Sequence, residues 1–188
     1  MYFGRKGLDE DKAVYHILSA LSLFTYFIEN DVKALFKNKG LDPIYTRIGI
    51  DFGEDKDVLW AMAGKENVSE ITTYSLHTSL ASKMQSYAKS NQIIIGKNIV
   101  KKAMLDTILY APVEEERYIY KDSNKSFYYA QFVFDWQKFL SKQSFITASP
   151  NTGKLGIKPS QNSIPIYAKQ SDSLREVASV NKPYYGKF

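Results

Sequence analysis

Side chains able to do chemistry are few here, and their spacing excludes the familiar constellations. The 188 residues include no cysteine, which removes a thiolate nucleophile, a disulfide framework and a thiolate metal site. The two histidines, His16 and His77, form no zinc-type cluster, and no nucleophile–base–orienter set stands out. Thr152-Gly153-Lys154 lacks the rest of a Walker A loop. Asp51-Phe52-Gly53 has no kinase loop around it. Asn67-Val68-Ser69 and Asn124-Lys125-Ser126 are glycosylation sequons, without meaning in a cytoplasmic chain. Two polar residues do stand at a useful spacing. Ser79 and Lys83 are four apart in a helical pattern and so share a face. Taken alone they read as the wet edge of an amphipathic helix, because lysine is usually exposed.

The elements that would position them follow from periodicity. Val14, Ile17, Leu18, Leu21, Phe24, Ile28, Val32, Leu35 and Phe36 recur at helical spacing. Asp9-Glu10-Asp11 precedes them as N-terminal negative charge, and Gly40 is a good stop. His16 rides on this helix as a surface or packing residue. Residues 46–53 and 58–64 are apolar runs around a polar turn, which predicts a β-hairpin. Leu76, Leu80, Ala81, Met84, Tyr87 and Ala88 predict an amphipathic helix, and Ile93-Ile94-Ile95 a short buried strand ended by Gly96. Lys97 to Leu105 predicts a short helix. Val113 to Tyr120 and Ser126 to Phe134 read as strands around the turn signal Asp122-Ser123-Asn124, and Asp135 to Leu140 adds a helical turn. Hairpin, helix and strand make half of a split β-α-β, ferredoxin-like arrangement.

Four pieces of this stretch, in order, carry a resemblance: Arg47-Ile48-Gly49-Ile50-Asp51-Phe52-Gly53, Ala61-Met62-Ala63-Gly64, Ala81-Ser82-Lys83-Met84-Gln85-Ser86 and Ala88-Lys89-Ser90-Asn91-Gln92-Ile93-Ile94-Ile95. Together they resemble the second half of the class III nucleotide cyclase domain. Among its branches the sequence looks most like the divergent bacterial cyclases that make cyclic pyrimidine nucleotides in antiphage signalling. The resemblance implies an α+β fold: a ferredoxin-like cyclase-homology sheet with helices on one face, lacking its first strand. It implies conversion of a nucleoside triphosphate to a 3′,5′-cyclic nucleotide with release of pyrophosphate, by a homodimer with active sites between subunits.

The family holds Mg or Mn through two aspartates. Neither of their motifs occurs here, and both belong upstream of Met1-Tyr2-Phe3-Gly4. The expectation is an N-terminally incomplete catalytic domain over 1–140, inactive as the chain stands. A family asparagine that orients the ribose and an arginine that stabilises phosphate charge fall on Ser79 and Lys83, which are therefore the catalytic candidates. Serine offers one hydroxyl where the amide offered a donor and an acceptor, and lysine lacks the bidentate fork of arginine. Base recognition in the family falls near Thr72 and Thr73, which the helix-cap role suits better. Triphosphate binding falls on Lys121 and Lys125. His77 precedes Ser79 by two and faces elsewhere on the helix.

Composition sets the remaining bounds. The 25 Lys and Arg exceed the 20 Asp and Glu by five. Residues 141–188 hold seven basic residues against Asp172 and Glu176, so the excess belongs to that Pro-, Ser- and Asn-rich extension, most of which reads as poorly ordered. Basic tails can contact polyanions, but a solvated tail is commoner, so nucleic acid is not the expected partner. No apolar run approaches the roughly 20 residues of a membrane span, and the N-terminus lacks a signal-peptide core. The reading is a cytoplasmic cyclase portion. The alternative is a non-catalytic cyclase-homology module that dimerises or binds nucleotide.

Overall fold

The structure, a computed structural model, describes residues 9–65, 68–114, 119–122 and 125–158, without the side chains of 69–70, 119–122 and 125. The chain divides into two compact units, residues 1–142 and 143–188.

In the first unit helix α1 (Glu10–Phe27) starts on Asp9, whose carboxylate accepts from the Asp11 amide at 3.1 Å. It runs without interruption through a π-helical turn (Ile28–Val32) into α2 (Lys33–Asn38). The long apolar periodicity is thus one continuous rod, closed by Gly40 at φ 67°, a left-handed geometry that glycine adopts without steric cost. Its buried hydroxyls are satisfied internally. Ser19, Ser22 and Thr25 donate to the carbonyls of Tyr15, Leu18 and Leu21, so they sit in the core without orphaned donors. His16 is exposed.

The main sheet has the order β1-β4-β8-β5, with β1 (Arg47–Ile50), β4 (Gln92–Gly96), β5 (Tyr110–Pro112) and β8 (Gln131–Phe134). β1 and β4 are parallel, while β8 runs antiparallel to both β4 and β5. Helix α3 (Leu76–Tyr87) crosses between the parallel pair, as a parallel connection requires. Its buried stripe is Leu80 and Met84, continued by Ala88, against Ile94 and Tyr129. Ile93 and Ile95 point to the opposite face, where they are equally enclosed; β4 is buried on both sides, which explains its unbroken apolar run. Two short helices, α4 (Lys97–Lys102) and α5 (Trp136–Ser141), pack against α1. The α+β expectation holds.

Gly49 sets the approach of α3. A Cβ there would stand 2.1 Å from the Ala81 carbonyl oxygen and 2.5 Å from the Gln85 amide nitrogen. Both are backbone atoms of a packed helix and cannot step aside locally. Gly49→Ala is therefore expected to destabilise the unit by about 3 kcal/mol, the upper range for overpacking, read as a lower midpoint in urea unfolding.

The hairpin differs from expectation. Residues 46–53 do not pair with 58–64. Instead β2 (Leu59–Lys65) pairs with β3 (Val68–Tyr74), from Leu59 opposite Tyr74 to Lys65 opposite Val68. The stretch between 64 and the α3 helix carries Val68, Ile71, Thr72, Thr73 and Tyr74, all good strand formers. This ribbon stands apart from the main sheet, and Met62 and Ile71, directly opposite each other, are 65% and 69% exposed. The strands expected over 113–120 and 126–134 are likewise shorter pieces: β6 (Ile119–Asp122) and β7 (Lys125–Tyr128) form their own hairpin, and Tyr129-Ala130 breaks it from β8.

In the second unit β9 (Ile146–Ala148) and β10 (Leu155–Ile157) form a short antiparallel hairpin, closed by a Ser149-to-Lys154 turn with Gly153 at φ 66°. Ordered structure thus occurs inside the extension read as mostly disordered, and Thr152-Gly153-Lys154 is a hairpin turn. Residues 159–188 lie outside the described part. No helix among the described residues is long and apolar enough to cross a membrane.

Candidate functional site

Ser79 and Lys83 stand on the exposed flank of α3, each one residue before a core residue, Leu80 and Met84. The helix begins on Ser75, whose hydroxyl accepts from the Thr78 amide at 3.0 Å. Ser79 Oγ returns a hydrogen bond to the Ser75 carbonyl at 3.3 Å. The cap is therefore Ser75, and the cap role expected of Thr72 or Thr73 falls away. Both threonines are in β3, opposite Ala61 and Trp60. Successive strand residues point to opposite faces, so one base edge can meet only one of them. Lys121 and Lys125 are on β6 and β7, opposite Ser126 and Asp122; their side chains lie outside the described part.

A second constellation sits beside the N-terminus of α3. Asp51, just past the end of β1, has a fully enclosed side chain. Tyr129 Oη donates to its Oδ1 at 2.6 Å, and His77 Nδ1 lies 2.7 Å from its Oδ2. Two glycines make the room. A Cβ on Gly96 would stand 2.2 Å from Asp51 Oδ1, and one on Gly53 2.6 Å from His77 Cδ2. The Lys97 ammonium lies 5.1 Å from the Tyr129 ring centroid, within cation–π range. His77 keeps 16% of its side chain exposed and lines an open cleft of about 470 Å³ together with Phe52, Glu54, Asp57, Asn98 and Lys102. Asn98 Nδ2 donates to the Phe52 carbonyl at 2.9 Å, and Lys102 pairs with Glu10.

Burial pushes the Asp51 carboxyl above the usual carboxylate range, against the opposing pull of the Tyr129 and His77 hydrogen bonds. A raised folded-state pKa contributes stability that is complete below the unfolded-state value and is lost as pH rises through the folded one. Asp51→Asn removes that loss. The stability of the variant relative to wild type should therefore rise with pH from the ordinary carboxylate value upward, measured by urea unfolding at a series of pH values. A difference that stays flat or falls would contradict the burial argument.

The resemblance carries an expectation of Mg or Mn, so the donor set matters. Among the described residues no group of three or more His, Asp or Glu is arranged to hold a metal ion, and both Asp51 oxygens are already engaged. The described residues do not fit a metal centre.

No family model matches the sequence. The chain is 39% identical over 154 residues to a cytidylate cyclase of Staphylococcus aureus, covering 78% of this chain and 36% of that protein. It is 32% identical over 190 residues to a cytidylate cyclase of Escherichia coli, covering 96% of this chain and 38% of the relative. The chain spans a little over a third of these curated relatives. The crystal structure of the guanylyl cyclase Cya2 superposes with a TM-score of 0.54 at 17% identity, covering 70% of this chain and 62% of that one. This chain carries a class III cyclase-like domain.

Within the cyclase-like domain, sequence reasoning singled out Ser79 and Lys83 as candidates and passed over the Asp51–His77–Tyr129 cluster. Asp51 entered the sequence reading through the Arg47–Gly53 motif and as part of Asp51-Phe52-Gly53, in neither case with a partner. Its partners are 26 and 78 residues away. The signal within reach was the pair Gly53 and Gly96, both placed where a side chain would strike the cluster.

Proposed function

We propose that this chain is the portion of a nucleotide cyclase that carries substrate-side residues, and that its substrate is a cytidine triphosphate. The ribose 3′-oxygen attacks the α-phosphorus, the bond to the bridging oxygen breaks, pyrophosphate leaves, and the hydroxyl proton passes to solvent. Lys83 supplies positive charge to the phosphate and Ser79 a hydroxyl to the ribose. The protein acts as a homodimer, joined in part through the exposed apolar ribbon β2–β3. The observation that carries the reading is the alignment of 96% of this chain with a protein named cytidylate cyclase. Antiphage signalling rests on the sequence resemblance alone.

The test is turnover of all four nucleoside triphosphates by the full-length protein with Mn²⁺. A cyclic cytidine product supports the reading. A cyclic product from another base alone would change the substrate, and none from any would leave the non-catalytic module.

A further inference from the structure

We propose that His77 is a positioning residue for the proposed cyclase reaction: held by Asp51 as the Nδ1–H tautomer, it pins the first turn of α3 to the end of β1 and so sets where Ser79 and Lys83 stand. The inference rests on the functional reading above. The geometry points to it in three ways.

First, the contact is directional. Asp51 Oδ1 is taken by the Tyr129 hydroxyl at 2.6 Å, so Oδ2 faces His77 Nδ1 at 2.7 Å. An ionised Asp51 can only accept, which places a ring proton on Nδ1. Second, the clamp joins separate pieces of the domain: the end of β1, the first turn of α3 and the Tyr129 link before β8. The Gly53 and Gly96 backbones close around it, so the ring has little freedom to turn. Third, the register of α3 fixes the consequence. His77 is two residues before Ser79 and six before Lys83 on one rigid helix, already held close to β1 at Gly49. A shift of the first turn moves both substrate-side residues together.

Misplacement of about 1 Å far from the reacting atoms can lower turnover by roughly a hundredfold. The test compares kcat and KM of the full-length wild type, His77→Ala and His77→Asn, with imidazole nitrogen NMR of the wild type at neutral pH. His77→Ala should lower kcat by about ten- to a hundredfold with a smaller change in KM. Asparagine can present an amide N–H near the place of Nδ1, so His77→Asn should recover most of the loss. The NMR should show His77 as the Nδ1–H tautomer. An Nε2–H tautomer overturns the proposal, because Asp51 would then be the protonated donor. So does a His77→Ala enzyme with unchanged kcat, or an asparagine variant no better than alanine. If the wild type makes no cyclic nucleotide, the cyclase reading fails and the positioning role with it. An active wild type with insensitive variants overturns the positioning role alone.

Discussion

Replacing Met62 and Ile71 together by glutamate is expected to convert the proposed dimer to a monomer and to abolish most of the proposed turnover. The two side chains face each other across β2 and β3, with Trp60 one step along the ribbon and 53% exposed. Leu59 and Tyr74 form a second exposed apolar pair, 66% and 57% open, on the opposite face. A lone two-stranded ribbon is marginal in water, and contiguous exposed apolar surface marks an interaction site. A second copy of the chain is the occupant proposed here. Both protomers carry the two substitutions, so the interface loses four apolar anchors at about 2 kcal/mol each, and the dissociation constant should rise by roughly a millionfold. Sedimentation velocity across a dilution series reads this directly. The ribbon is not hydrogen-bonded into the main sheet, so near-ultraviolet circular dichroism should stay close to wild type. A variant that sediments as wild type would contradict the ribbon's role.

The second large effect falls on Lys83. Charge develops on the phosphate as pyrophosphate departs, and a fixed positive donor stabilises it in the transition state more than in the ground state. Lys83→Ala should therefore reduce kcat by roughly a hundredfold with a smaller change in KM. Lys83→Arg keeps the charge and adds a planar fork, so it should retain most activity. Ser79→Ala should matter less, since its hydroxyl already bonds the Ser75 carbonyl. Equal losses for alanine and arginine at position 83 would mean that the lysine acts through shape instead of charge.

Much of the architecture was legible because single residues carried it. The 3.6-residue apolar spacing gave the rod from Glu10 to Asn38, and Ile93-Ile94-Ile95 gave a strand buried on both faces. The hairpin was misplaced because the start of β3 reads as polar: Ser69 and Glu70 hide its strand-forming content, and partner choice is a property of the sheet. Gly96 reads as a strand stop, yet its main consequence is the space it leaves for Asp51. The cluster around Asp51 was not legible because no local pattern links residues that meet only after β1, α3 and β8 have packed. Conversely, the structure alone would not single out Ser79 and Lys83. They are exposed polar residues on a helix, and their candidacy comes from the match of Ala81-Ser82-Lys83-Met84 to the cyclase motif.

Phosphorus NMR of the full-length protein with cytidine triphosphate and Mn²⁺ tests the central claim most directly, because it separates cyclisation from hydrolysis in one sample. The account predicts that the triphosphate signals disappear as one cyclic phosphodiester and one pyrophosphate appear in equal amounts. Formation of cytidine mono- or diphosphate in place of the cyclic product, or persistence of intact triphosphate at enzyme concentrations near those of substrate, would contradict it.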